Sequence, residues 1–237
     1  MKTLKLFFLI VIVLTTTANG FSQRKTTSLN GLWEVEESLT SDLPRKYNHK
    51  VVVPGLVDMA KPQFDSVGYS SVKRNYYYYR RFFKIAEPLT QVALLKINKA
   101  FYGTRVFINR KEVGYNAFCF TPTLFDIHDF LIPGKENEIT IQVGAYLNNM
   151  PDTIANGTDF EKKKYIAGIY DNVEIIHSGY PFIENIQIVP DIKNQQIRVV
   201  GEIVSDKVVK NFKLEYQVGE YKTDNKTIAG KSPKMAL

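Results

Sequence analysis

Cysteine and histidine are scarce in this sequence, with one cysteine and three histidines in 237 residues. Cys119 cannot form an intrachain disulfide bond, and its aromatic neighbours in "NAFCFTP" predict a buried, unreactive thiol. His49, His128 and His177 lie far apart, and no CxxC pair accompanies them. Because metal sites need clustered ligands, we expect no metal and no other cofactor.

The chain also lacks a helical apolar period and any apolar run of comfortable membrane-spanning length. Lys2 and Lys5 precede the apolar run 6–14, and small and polar residues follow to position 20. This order is typical of a secretory signal peptide, with an uncleaved anchor as the alternative. We therefore predict that residues 1–20 are a signal peptide and that the protein is exported, periplasmic or secreted, with no membrane attachment after cleavage.

Positive charge is present but not concentrated. The net charge is +7, and removal of residues 1–20 takes away two lysines and leaves +5. Lysine and arginine are spread along the chain, whereas nucleic-acid binding calls for a basic stripe or patch. The sequence therefore argues against nucleic acid as a partner.

Short alternating segments separated by turn residues fill most of the chain, which is typical of an all-β sandwich or barrel. The candidate strands cover residues 32–36, 50–53, 76–85, 91–97, 103–108, 112–115, 121–126, 138–144, 172–177 and 183–189. In "EITIQVGA", Ile139 and Ile141 share one face while Thr140 and Gln142 share the other, which predicts a half-buried strand. Trp33, the only tryptophan, falls on an inner strand and is predicted to be a core residue.

The segment "RNYYYYRRFFKI" is the most aromatic part of the sequence. A period of two places one set of side chains on the inner face: Tyr77, Tyr79, Arg81, Phe83 and Ile85. A partly buried Arg81 needs a carboxylate partner, for which Asp58 and Asp126 are the candidates. The segment is therefore predicted to be a framework strand rather than a ligand platform.

Two later segments break the pattern. Residues 146–167 form a long connection without clear periodicity, which favours a binding loop or a plain solvated loop. Near Pro190 the alternation restarts with strands predicted at 197–204 and 212–218, and it is then lost. Because two strands cannot bury a core, residues 191–237 are predicted to be an incomplete second β domain with unpaired strand edges.

Five segments, in order, carry a resemblance to a known family: "SLNGLWEVEES", "VVVPGLVDMAKP", "YYYYRRFFKI", the block from "ALLKINKAF" to "NEITIQV", and "GIYDNVEIIHSGYPFIENIQIVPDI". Together they resemble the N-terminal sugar-binding jelly roll of glycoside hydrolase family two, the family of β-galactosidases, β-glucuronidases and β-mannosidases. Tyr78 replaces a tryptophan of the family pattern, Arg110 a glycine and His128 a threonine. The resemblance implies a galactose-binding-like jelly roll over 21–190, followed by an incomplete immunoglobulin-like segment over 191–237.

The resemblance also implies where catalysis would reside. Retaining glycosidases use a pair of glutamates, which this family carries on a (β/α)₈ barrel that follows the immunoglobulin-like domain. The sequence holds no such barrel, and its own carboxylates lie in predicted strands and loops. We therefore assign no catalytic residue and expect no hydrolysis by this chain alone.

Sugar contacts are expected where loop residues of the jelly roll reach an active-site edge, and beside turns that present aromatic rings. The polar candidates are Asn75, Asn156, Asp159 and Glu161. The aromatic candidates are Tyr69, Tyr102 and Tyr115, although an exposed tyrosine needs no function.

The predicted function is a carbohydrate-associated module of an exported family-two glycoside hydrolase, with a carbohydrate and the missing catalytic domain as partners. One alternative is a self-sufficient exported glycan-binding protein. The other is a structural or interaction sandwich without a ligand.

Overall fold

The computed structural model describes residues 24–146, 149–155, 157, 161 and 164–207, together with the backbone of five short strands between 211 and 236. The predicted signal peptide lies outside these residues, so it stays a prediction. The described chain is all-β apart from short 3₁₀ turns, which include Val57–Met59 and His128–Phe130. Within the described part, no helix is long and apolar enough to span a membrane.

The strands follow one another in short steps, as the sequence predicted. In chain order they are β1 (Lys25–Ser28), β2 (Gly31–Ser38), β3 (His49–Val53), β4 (Gly55–Leu56), β5 (Tyr76–Lys84), β6 (Val92–Ile97), β7 (Ala100–Phe101), β8 (Thr104–Ile108), β9 (Lys111–Asn116), β10 (Thr123–Asp126), β11 (Glu136–Gly144), β12 (Gly168–Ile169), β13 (Val173–Ser178), β14 (Phe182–Asp191), β15 (Gln196–Val204), β16 (Asn211–Leu214), β17 (Gln217–Val218), β18 (Tyr221–Lys222), β19 (Lys226–Ala229) and β20 (Lys234–Ala236).

Two antiparallel sheets form the sandwich. The larger sheet has the order β3-β2-β5-β11-β8-β9, and the smaller has the order β1-β13-β6-β10. One continuous apolar core lies between them and includes Trp33, Ile141, Leu95 and Ile175. A third small sheet, β4-β12-β7, joins two-residue strands that are too short for a period to predict.

The inner face of β5 holds the predicted side chains. Tyr77, Tyr79, Phe83 and the following Ile85 all belong to the core. The middle of the tyrosine run is therefore a framework strand between β2 and β11. The hydroxyls of Tyr77 and Tyr79 on this face do not reach the surface, and Tyr79 is fully buried.

The predicted carboxylate partner of Arg81 is wrong. Arg81 is half-buried, and its Nη1 donates to the backbone oxygens of Leu29 at 3.0 Å and Asn30 at 2.8 Å. Asp58 and Asp126 are both exposed, and Asp126 instead accepts a hydrogen bond from a backbone N–H two residues later. Carbonyl oxygens satisfy a guanidinium as acceptors, so no carboxylate is needed.

The prediction that β11 is half-buried is also wrong, because both of its faces are covered. Thr140 and Gln142, expected on the solvent side, are buried. Tyr47 of the loop after β2 lies over this face, next to Arg80, which is the β5 partner of Thr140. The guanidinium carbon of Arg80 lies 4.0 Å from the centroid of the Tyr47 ring. Strand alternation alone does not show that a distant loop folds over the outer face.

A separate sheet, β14-β15-β20, follows the sandwich. Its first strand begins at Phe182, so the boundary predicted at residue 190 falls inside a strand. The two-domain division and the immunoglobulin-like character of the second part stay predictions. On β14 and β15, apolar side chains at 186, 188, 197 and 199 are exposed.

Candidate functional site

The two loops that the sequence indicated, before β5 and after β11, contact each other. The backbone N–H of Tyr165 donates to the Gly68 oxygen at 3.0 Å. Lys164 Nζ lies 5.7 Å from the centroid of the Tyr69 ring. Gly68 has a φ of +84°, and an added Cβ would lie 3.2 Å from the Tyr165 nitrogen, so a side chain here would crowd the loop contact. The loops therefore form one joined edge of the sandwich.

Tyr146, at the end of β11, ties the first loop to the sheet. Its hydroxyl accepts from the Ser71 backbone N–H at 2.6 Å and lies 2.6 Å from the Arg74 backbone oxygen. The loop before β5 is thereby held close to the end of β11.

Arg74 fixes the same loop from beneath. The side chain is only 1% exposed, and its Nε donates to a Glu37 carboxylate oxygen at 2.5 Å. Its other nitrogens donate to the backbone oxygens of Asp65 at 2.5 Å and Ser66 at 3.3 Å. The guanidinium carbon also lies 5.5 Å from the centroid of the Tyr77 ring. A buried cation with this many partners gives the loop one defined course.

A pocket of about 390 Å³ opens on the outer face of the larger sheet, next to this edge. We call it the outer-face pocket. Its lining residues come from β5, β8, β9, β11 and the segments beside them: Tyr76, Tyr102, Gly103, Arg105, Tyr115, Gln142, Gly144, Asn149, Met150 and Pro151. This volume lies within the range of small-molecule sites, which begins at about 300 Å³.

Gln142 presents an unused acceptor to the outer-face pocket. Its Nε2 donates to the Tyr78 hydroxyl, which in turn donates to the Thr40 backbone oxygen at 3.2 Å. Burial raises the pKa of Tyr78 to about 12, so this hydroxyl keeps its proton. Because the hydroxyl proton is used, the side-chain amide must turn its N–H toward Tyr78. Gln142 Oε1 then accepts no hydrogen bond from the described residues.

Among the described residues, Arg105 is the only charged one that lines the outer-face pocket. Its Nη1 donates to Glu112 Oε1 at 2.5 Å, and its guanidinium carbon lies 5.1 Å from the centroid of the Tyr115 ring. The Nε and Nη2 donors form no hydrogen bond within the described part of the chain. The pocket thus combines exposed aromatic surface, one acceptor and a cation with unused donors.

The structure brings together two of the predicted sugar-contact residues, Tyr102 and Tyr115, in the outer-face pocket. Tyr115 is 46% exposed, whereas Tyr102 is 2% exposed and offers no open ring face. Tyr69 is exposed on the loop edge. Asn75 donates from Nδ2 to the Leu39 backbone oxygen at 2.8 Å, so its amide holds two loops together.

The other polar candidates lie on the second loop. Glu161 is exposed there, while Asn156 and Asp159 lie outside the described residues. Arg105 and Gln142 line the pocket but were not among the predicted residues. The structure shows that they are directly paired between β8 and β11. Strand alternation places both on the outer face, but only the pairing register shows that they are neighbours.

No group of metal-ligating side chains adds to this site. Among the described residues, no three histidine, cysteine, aspartate or glutamate side chains lie close enough to hold a metal ion. Cys119 is 1% exposed, and burial raises the pKa of its thiol. A buried thiol with a raised pKa is a poor nucleophile.

No family model matches the chain, and no curated protein matches it at a significant level. Solved structures do share its fold. A calcium-binding mutant of β-glucuronidase 2 from Bacteroides uniformis has a TM-score of 0.67 at 19% identity, over 91% of this chain and 27% of that one. A β-D-mannosidase from Dictyoglomus thermophilum has a TM-score of 0.65 at 15% identity, over 90% of this chain and 30% of that one.

A family-two β-galacturonidase from Eisenbergiella tayi, bound to glycerol, also has a TM-score of 0.65, at 18% identity, over 90% of this chain and 36% of that one. The chain therefore spans about a third of the length of these enzymes. At such identities the likeness is one of fold. The fold is the N-terminal β-sandwich of family-two glycoside hydrolases, as the sequence resemblance implied.

Proposed function

We propose that this chain is the sugar-binding, non-catalytic N-terminal module of an exported family-two glycoside hydrolase. The fold supports it, because the similar structures are named as a glucuronidase, a mannosidase and a galacturonidase. The proposed partners are a carbohydrate and a catalytic domain of the same family. Export rests on the charged and apolar pattern of residues 1–20.

The observation that carries the proposal is the composition of the outer-face pocket. Sugar sites combine aromatic surface for the apolar face of a pyranose with a few hydrogen-bonding groups. Tyr76 and Tyr115 supply the rings, and Gln142 Oε1 and the unused Arg105 donors supply the polar contacts. All of them stand on strands of one sheet or directly at its edge, so the site is formed by the sandwich itself.

The same pocket is unsuited to hydrolysis. Retaining chemistry needs two carboxyl groups about 5 Å apart, and inverting chemistry needs two about 6.5–9.5 Å apart. None of the described residues that line the pocket carries a carboxylate, and the nearby Glu112 is paired with Arg105. Cleavage of a glycosidic bond would therefore be the work of the catalytic domain.

Calorimetric titration of the purified chain with galactose, mannose, glucose, glucuronate and galacturonate tests the proposal. We expect heat of binding with at least one sugar and no hydrolysis of nitrophenyl β-glycosides. Tyr115→Ala should abolish the binding, whereas Tyr69→Ala, which truncates an exposed tyrosine outside the pocket, should leave it unchanged. Absence of heat with every sugar and with short oligosaccharides would rule the sugar-binding function out.

The interaction-only alternative has one observation in its favour. Ile186 and Ile188 on β14 lie opposite Gly201 and Val199 on β15, and they are 53% and 65% exposed. Neighbouring exposed apolar side chains on a sheet are typical of an interaction surface. A chain that binds no sugar but self-associates, and that becomes monomeric with Ile188→Lys, would support this alternative.

A further inference from the structure

We propose that the outer-face pocket selects sugars that carry a carboxylate, with Arg105 as the residue that binds the carboxylate and Glu112 as an internal competitor for it. This inference rests on the proposed function in one respect, that the ligand is a sugar. It adds the chemical class of that sugar and the residue that sets the preference.

Arg105 gives the lining of the pocket a positive charge. Among the described residues that line the pocket, Arg105 is the only charged side chain, so these residues give the pocket wall a cationic group and no anionic one. One nitrogen, Nη1, is used by Glu112 at 2.5 Å. The guanidinium has five N–H donors in a planar fork, which matches the two oxygens of a carboxylate. The unused Nε and Nη2 edge is therefore available for a second carboxylate.

Arg105 is the middle member of a row of three paired residues in the sheet. Arg105 lies opposite Gln142 on one neighbouring strand and opposite Tyr115 on the other. Since neighbouring strands lie about 4.8 Å apart, the three side chains form a row about 10 Å wide on the outer face. A single pyranose fits across such a row. Its carboxylate can reach Arg105 while a hydroxyl donates to Gln142 Oε1 and an apolar edge contacts Tyr115.

Two contacts fix the orientation of the Arg105 guanidinium. Arg105 lies over the Tyr115 ring, with 5.1 Å between the guanidinium carbon and the ring centroid. This contact and the Glu112 ion pair hold the guanidinium in place before a ligand arrives. A cation that is already positioned loses less conformational entropy on binding.

The carboxylate of Glu112 is already paired with Arg105, through the Nη1 nitrogen of the guanidinium. The Glu112 side chain is 49% exposed, so solvent can accept it if a ligand displaces it. Its negative charge also repels an incoming carboxylate. Loss of Arg105 should therefore weaken the binding of acidic sugars, whereas loss of the Glu112 charge should strengthen it.

Pairs of sugars that differ only at C6 provide the test: glucuronate against glucose, and galacturonate against galactose, titrated calorimetrically at neutral pH. We expect the acid of one pair to bind about tenfold more tightly than its neutral counterpart, since a charge-assisted bidentate contact is worth about that much. Arg105→Gln should remove this preference. Glu112→Gln should strengthen binding of the acid about threefold by removing like-charge repulsion.

Arg110→Gln is the matched control, because Arg110 lies in the same β8–β9 hairpin but outside the pocket. It should keep the preference for the acid. Circular dichroism and melting curves should verify that each variant folds. If Arg105→Gln does not fold, Arg105→Lys replaces it, because lysine keeps the charge but lacks the planar guanidinium; this variant should retain only part of the preference. Added salt should weaken the binding of the acidic sugar and leave the binding of its neutral counterpart unchanged.

The outcomes separate the two proposals. If no sugar binds, both the proposed function and this inference are overturned. If neutral sugars bind as tightly as the acids, or if Arg105→Gln leaves the preference intact, the sugar-binding function stands and the selectivity is overturned.

Discussion

Arg74 shows how one side chain determines the course of a loop at the edge of the sandwich. The side chain is 1% exposed and its partner Glu37 is 20% exposed, so water screens their ion pair poorly. The guanidinium also donates to two backbone oxygens in the segment 65–66, which leads into β5. The loop that carries Tyr69 therefore depends on a cation that sits beneath it.

We predict that Arg74→Met lowers the free energy of unfolding by about 3 kcal/mol, because removal of one member of a buried pair leaves the other charge without compensation. Equilibrium denaturation in urea measures the change. Lys73→Ala is the matched control, since the adjacent Lys73 pairs with Asp65 on the surface, where both side chains are more than half exposed. That variant should not differ measurably from wild type. Equal effects of the two substitutions would contradict the argument.

Single residues also show where prediction from the sequence fails. The period of two correctly placed Tyr79 and Phe83 in the core, because alternation is a local property of a strand. It could not supply the partners of Arg81, since the oxygens of Leu29 and Asn30 come from a turn about 50 residues away. A guanidinium with several acceptor choices does not reveal its partner before the chain is folded.

At the scale of elements, register rather than composition determines the candidate site. Gln142, Arg105 and Tyr115 belong to three strands, and the pairing of those strands puts them in one row. The sequence marks each strand and the face of each side chain. It does not give the order of the strands in the sheet, nor does it show that Tyr47 covers the neighbouring part of the outer face. For this reason two of the three row residues escaped prediction.

The end of β11 contributes a close approach that a side chain would disturb. A Cβ added to Gly144 would lie 2.7 Å from Asn149 Cβ and 2.8 Å from the Tyr102 backbone oxygen. We predict that Gly144→Ala costs about 1–3 kcal/mol of stability, as overpacked sites do, and weakens sugar binding by displacing two pocket residues. Thermal melting and calorimetric titration measure the two effects.

Gly114→Ala on the neighbouring β9 is the control for this prediction. Its added Cβ would lie 3.4 Å from Phe125, at the edge of ordinary van der Waals contact. Stability and sugar binding should both stay near the wild-type values. If Gly144→Ala bound sugar as well as this control, the Asn149 side of the pocket would have no part in recognition.

At the scale of the whole molecule, weak motifs identified the fold where sequence similarity was low. The similar enzymes are only 15–19% identical to this chain, yet they share its sandwich. A fold depends on alternation, turn positions and core volume, which many residues can satisfy. Sugar contacts depend on particular side chains in particular places, so the fold was predictable and most of the pocket was not.

Buried tyrosines give the whole molecule a characteristic response to alkaline pH. Burial raises the pKa of Tyr47, Tyr78 and Tyr102 from 10.0 to about 12. In the unfolded chain these side chains ionise near pH 10. Below pH 10 they are neutral in both states and contribute no pH dependence. Between pH 10 and 12 the unfolded state releases protons that the folded state retains, so stability falls as pH rises.

We therefore predict that the free energy of unfolding, measured in urea, is nearly constant from pH 8 to pH 9 and falls steadily above pH 10 because of tyrosine ionisation. Tyrosinate absorbance, recorded on the same samples, should rise with the unfolded fraction. Tyr47→Phe removes one of the responsible groups and should make the fall shallower, whereas Tyr69→Phe, a change to a ring on the exposed loop edge, should leave the slope unchanged. A slope that is the same for Tyr47→Phe and wild type would contradict a contribution of Tyr47 to the alkaline loss of stability.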